Sequence, residues 1–195
     1  MIQKAERIIE AYQKVKPAGC GVIAMDGRAA AGKTTLAEEL AVTLGGAVVH
    51  MDDFFLPGEL RTPERLAAPG GNVHAERFAE EVLPYLRRGE AFRYRRFDCH
   101  RMDYNGWVEI PTVPVIIVEG AYSQHPRFGG YADLTVFCDI APEEQKRRIC
   151  SPLTGVTSDS WDTPAGHRVY DACRGFSVSW VCRDSGASSA SSTSC

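Results

Sequence analysis

Gly27-Arg28-Ala29-Ala30-Ala31-Gly32-Lys33-Thr34 is the stretch on which the reading of the whole chain turns. It satisfies G-x-x-x-x-G-K-[ST], a loop whose backbone N–H groups turn inward around phosphate oxygens. At ordinary glycine usage the four fixed positions coincide by chance on the order of once per hundred chains of this size. The flanks fit as well. Cys20-Gly21-Val22-Ile23-Ala24-Met25 is a short apolar run that reads as a buried strand entering the loop. Residues 34–44, rich in Ala, Leu and Glu, read as a helix leaving it, closed by Gly45-Gly46. The start of that helix adds partial positive charge, Lys33 can reach the β- and γ-phosphates, and Thr34 offers a hydroxyl to Mg²⁺. The expected ATP-binding residues are Gly27, Arg28, Ala29, Ala30, Ala31, Gly32, Lys33, Thr34 and Thr35.

Working outward, strands and helices alternate. Residues 3–15 carry Ile8, Ile9, Tyr12 and Val15 at helical spacing, and Pro17 and Gly19 end that segment. Ala47-Val48-Val49-His50-Met51 reads as a second strand, residues 56–73, with three Pro and three Gly, as a loop, and residues 74–88 as a helix. Residues 92–97 and 107–110 read as two arms of a hairpin around Asn105-Gly106. Val115-Ile116-Ile117-Val118 is a third buried strand, residues 134–138 a fourth, and residues 142–149 begin another helix. The pattern predicts an α/β fold: a three-layer sandwich around a mostly parallel sheet of order 2-3-1-4, with a small β-hairpin. A fifth strand is left open, with alternating Phe176-Ser177-Val178-Ser179-Trp180-Val181 as its candidate.

Ligands of open α/β sheets bind beyond the carboxyl ends of the strands. Asp52 and Asp53 follow strand two, where a carboxylate can accept a hydroxyl proton or hold Mg²⁺. Glu119 ends strand three, where an acidic side chain meets Mg²⁺ and the phosphates.

The phosphate loop, Asp52-Asp53-Phe54-Phe55, Phe97-Asp98 and Val118-Glu119-Gly120 together resemble the uridine kinase-like (nucleoside kinase) branch of P-loop kinases, over about residues 18–149. The resemblance implies transfer of the ATP γ-phosphate to a small-molecule hydroxyl, in uridine kinases the nucleoside 5′-hydroxyl. Asp52 matches the proposed base. Asn72-Val73-His74 is similar to a segment that contacts ribose, with His74 in place of an Asp. Phe97 stands where a nucleobase-stacking Tyr is carried, His100 near a base-reading His, and Asp53, Arg61 and Arg101 as further acceptor contacts. Arg147 and Arg148 lie where the family's cationic lid begins. Pantothenate kinase and phosphoribulokinase share the loop and the second-strand Asp, so a non-nucleoside acceptor stays open. So does ATP binding with impaired turnover.

Composition narrows the rest. The 195 residues carry 22 Lys+Arg against 25 Asp+Glu, a net charge of −3, which argues against a nucleic-acid-coating protein. Residues 113–118 contain Pro114 and stop at Glu119, too short for a membrane span. The first residues mix both charges and lack an apolar signal region. Seven Cys include no C-x-x-C pair, which points to reduced thiols and a cytoplasmic protein. Residues 1–149 hold one Ser and residues 150–195 hold eleven, with no Glu or Lys. That break predicts a kinase domain over 1–149 and an atypical Ser/Cys-rich segment over 150–195, disordered from about 185, with a shifted reading frame as one origin. The oligomeric state is not encoded in any of these features.

Overall fold

The computed structural model describes residues 2–15 and 19–150. The expectations for residues 150–195, the fifth strand included, lie outside the described residues but for Cys150.

Four parallel strands form the central sheet: β1 (Gly21–Gly27), β2 (Ala47–His50), β5 (Val115–Glu119) and β6 (Leu134–Cys138), in the order β2-β5-β1-β6. This is the predicted order, counted with the hairpin strands included. In β1 and β5 nearly every side chain is buried, as a parallel strand covered on both faces requires. Alternation sorts them. Ile23, Met25, Val115, Ile117, Leu134 and Val136 face α1 (Ile2–Val15) and α2 (Lys33–Leu44). Val22, Ile116 and Val118 face the opposite layer, where Phe54, Phe78 and Tyr94 fill the core. A one-residue slip would exchange the two sets, so each helix layer helps fix the register.

That opposite layer holds the hairpin β3 (Phe92–Asp98) and β4 (Asp103–Ile110), and α4 (Ala75–Glu81). Here the structure corrects three expectations. The helix expected over 74–88 ends at Glu81, and the chain continues in hydrogen-bonded turns. Pro84 lacks the N–H and its ring would strike the preceding turn. The Pro-rich stretch 56–73 contains a short helix, α3 (Pro63–Ala67), capped by Thr62, whose side-chain oxygen accepts from the Arg65 N–H. Thr62-Pro63-Glu64 was the overlooked start signal.

The hairpin does not turn at Asn105-Gly106. It turns over 99–102, where Asp98 Oδ1 accepts from the N–H groups of His100 and Arg101 at 2.9 and 3.3 Å. Arg95 pairs with Trp107 but Phe97 pairs with Tyr104, so Asn105 and Gly106 together oppose Arg96 as a β-bulge. The positive φ of Gly106, 80°, belongs to that bulge.

The last helix, α5 (Pro142–Ile149), follows β6. Among the described residues no helix is long and apolar enough to cross a membrane.

Candidate active site

The sheet register brings Gly27, His50, Glu119 and Cys138 to one edge: Met25 pairs with Glu119, His50 with Glu119, and Gly27 with Cys138. The phosphate loop rises from that edge. At Gly27, φ is +140° and an added Cβ would lie 2.1 Å from the Cys138 carbonyl oxygen, so only glycine lets the loop leave against β6. Gly32 adopts φ +84° as the N-cap of α2, with open space where a Cβ would be. The first-turn N–H groups of α2 have no intrahelical acceptors and face this loop.

Lys33 Nζ donates to the carbonyls of Gly27 and Arg28 at 3.0 and 2.8 Å, which holds the ammonium inside the loop. Thr34 Oγ1 donates to Glu119 Oε1 at 3.3 Å. The same carboxylate oxygen receives His50 Nδ1 at 2.6 Å. Glu119 is only 3% exposed. The hydrogen bond to Glu119 raises the His50 pKa above the usual histidine value, against the effect of burial. A hydroxyl and a carboxylate, both hard oxygen donors, suit Mg²⁺, which takes few protein ligands when phosphates supply others. Thr34 and Glu119 therefore fit the ion the phosphate loop implies.

Asp52 and Asp53 lie in a 3₁₀ turn (Met51–Phe54) directly after β2. Asp52 stays open to solvent at the rim. Desolvation by its surroundings and the Glu119 charge still raise its pKa, while Lys33 and His50 pull it down. Asp53 differs, because its Oδ2 accepts from the Tyr94 hydroxyl at 2.9 Å. The turn is anchored by Arg77, which is 2% exposed and donates to the carbonyls of Asp53 and Arg95.

The remaining expected residues spread around this centre. Arg61 is half-buried, its Nη1 3.9 Å from Met102 Sδ. His100 and Arg101 are exposed on the hairpin turn. Phe97 is 3% exposed and packs edge-on against Tyr104. His74 caps α4, its Nδ1 accepting from the Arg77 N–H at 3.3 Å. Arg28 pairs with Asp139, and Thr35 is exposed in the first turn of α2. On α5, Arg148 donates to the Ala30 carbonyl at 3.0 Å, whereas Arg147 pairs with Glu144 on the helix surface.

Sequence reasoning missed four contributors. Asp26 accepts from the N–H groups of Gly27 at 2.7 Å and of Tyr122 and Gln124 at 3.2 and 3.3 Å, tying the phosphate loop to the turn after β5. Burial raises its pKa despite those donors. His50 and Asp26 were visible as polar residues at the ends of apolar runs. Arg77 and Tyr94 gave no local signal, because their partners are distant in sequence.

Comparison with known proteins bears on the fold. No protein-family profile matches the chain. Among solved structures, it resembles a possible uridine kinase from Bacillus stearothermophilus at TM-score 0.62 and 19% identity, over 87% of this chain and 96% of that one. It also resembles a candidate fructose transport system kinase from Silicibacter sp. TM1040 at TM-score 0.65 and 22% identity, over 86% and 90%. The likeness is one of fold: a parallel four-stranded α/β sandwich with a small hairpin, shared with proteins described as kinases.

Proposed function

We propose that the protein is an ATP- and Mg²⁺-dependent kinase that phosphorylates a hydroxyl of a small molecule. One observation carries this reading. A phosphate loop with an inward lysine, a Thr34–Glu119 pair and the Asp52 carboxylate all meet at the carboxyl edge of the sheet.

Each group has a role in that reading. Lys33 and the loop amides hold the phosphates of ATP. Thr34 and Glu119 would hold Mg²⁺, which when bound neutralises charge on the β- and γ-phosphates. Asp52 accepts the proton of the acceptor hydroxyl as its oxygen bonds to the γ-phosphorus. The bond to the β,γ-bridging oxygen breaks and ADP leaves. Arg148 already donates to the phosphate loop at Ala30, whereas Arg147 pairs with Glu144.

For the acceptor, the family resemblance supports the 5′-hydroxyl of a pyrimidine nucleoside. Two observations favour a non-nucleoside acceptor such as pantothenate instead. Phe97 is buried against Tyr104 rather than presented for stacking, and His74 is engaged as a helix cap. The cysteine usage supports a cytoplasmic location.

The test is ADP release with uridine, cytidine and pantothenate, by the wild-type chain and Asp52→Asn. Acceptor-dependent ADP release that the variant loses supports the reading. Nucleotide binding with no turnover on any hydroxyl compound would replace it with a nucleotide-binding role.

A further inference from the structure

We propose that the acceptor carries an anionic group, a carboxylate or phosphate, and that Arg61 binds it. This rests on the kinase reading and specifies the class of its substrate.

Arginine side chains in the described residues fall into two sets. At least seven have a carboxylate within 4.0 Å, which accounts for their charge. Arg61 is not among them. Its Nε is buried with no hydrogen-bond partner, and the contact of its Nη1 is a weak one, to the Met102 sulfur. The half-buried guanidinium therefore holds a charge that no carboxylate among the described residues offsets, and its planar face of donors can meet an anionic ligand. Arg61 is also well placed. Its contact with Met102 sets it against the hairpin turn over 99–102, and the charges of Arg61, Asp52 and Asp53 all act on the Cys99 thiol of that turn. Arg96, likewise without a carboxylate partner among the described residues, acts on Asp53 from the same hairpin.

The charges have a geometric logic. Asp52 and Asp53 repel an anion, so an acceptor held only by them would be neutral or cationic. Arg61 and Arg96 offset that repulsion on the hairpin side. An acceptor with its hydroxyl at Asp52 and its anionic end at Arg61 satisfies both poles. The planar fork of arginine suits a carboxylate or phosphate in particular.

The experiment measures binding to the full chain by calorimetry, with and without a non-hydrolysable ATP analogue and Mg²⁺. Probes come in matched pairs: ribose 5-phosphate and ribose, glycerate and glycerol, pantothenate and pantothenol. The expected result is that an anionic member binds at least tenfold tighter than its neutral partner. Arg61→Gln should remove that preference, a loss of roughly 10–100-fold for a charge-assisted contact. Arg61→Lys should retain part of it. An anion bound only in the phosphate loop would be insensitive to Arg61→Gln and would count against the proposal. Equal binding of neutral partners, a preference that survives Arg61→Gln, or no binding of any anionic probe would overturn it. Failure to bind the nucleotide analogue would instead count against the kinase reading, because the probes are also titrated without nucleotide.

Discussion

Replacing Arg77 with Met should cost about 2–4 kcal/mol of stability and loosen the turn that carries Asp52. The guanidinium is 2% exposed, donates to the Asp53 carbonyl, and donates to the Arg95 carbonyl at 2.7 Å. It also lies over the rings of Phe54 and Tyr104, 4.5 and 5.0 Å from their centroids. Two charge-assisted hydrogen bonds at about 1.5–3 kcal/mol each give about 3–6 kcal/mol of gross loss. Two effects reduce it. Arg77 Nε and Nη1 have no hydrogen-bond acceptor, so the native residue already carries a desolvation cost that Met lacks. The thioether also regains roughly 0.3–1.5 kcal/mol against the aromatic rings. Glu81 is not orphaned, because Arg95 still reaches it at 2.9 Å. Both bonds leave Nη2; Arg77→Lys keeps the charge but neither the reach nor the planar geometry of that nitrogen, so about half of the loss should appear. Urea unfolding at constant m-value reads both variants. A Met variant within about 0.5 kcal/mol of wild type, or a Lys variant as damaged as Met, would refute the idea that two carbonyls depend on this cationic donor.

Other expectations are as direct. Glu119→Gln should leave binding of free ATP nearly unchanged but require at least roughly tenfold more Mg²⁺ for tight binding; His50→Ala, which removes the partner that orients Glu119, should show a smaller shift in the same direction. Asp52→Asn should keep ATP binding and lower turnover about 10²–10⁴-fold, and Asp53→Asn, which keeps an acceptor for Tyr94, should cost less. Because desolvation and Glu119 raise the Asp52 pKa, turnover should fall on acidification at a pH above the ordinary carboxylate value. Protonated Asp52 cannot accept the hydroxyl proton, so activity is present above its folded pKa and lost below it. Glu119→Gln removes one of the raising charges and should move the acid limb of its residual activity downward. Gly27→Ala should destabilise the chain by more than about 2 kcal/mol, read by thermal unfolding, since its Cβ would meet the Cys138 carbonyl.

The sheet was legible because its strands are continuous apolar runs. Val115-Ile116-Ile117-Val118 and the run before Gly27 can be buried only as central parallel strands, and the glycine-rich loop between strand and helix orders them. Elements whose ends are set by one residue were less so. Pro84 stops α4 at Glu81 although the apolar spacing runs on to Leu86, and Asp98 moves the hairpin turn away from Asn105-Gly106. The strongest local turn dipeptide lost to a side chain that satisfies two backbone N–H groups at once. At the site, residues within the phosphate loop could be read one by one. Asp26, His50 and Tyr94 act through partners 41 or more positions away, as Tyr94 does on Asp53, and Arg77 through carbonyls 24 and 18 positions away; sequence spacing does not carry such pairings.

The most direct measurement of the central claim is calorimetric titration of MgATP into the wild-type chain and Lys33→Ala. The ammonium sits within the phosphate loop on the carbonyls of Gly27 and Arg28, ready to meet phosphate oxygens. Saturable binding by the wild type, weakened by roughly 10–100-fold in the variant, is the predicted result for loss of about 1.5–3 kcal/mol of charge-assisted contact. Wild-type affinity retained by Lys33→Ala would contradict the claim that this loop binds the phosphates of ATP.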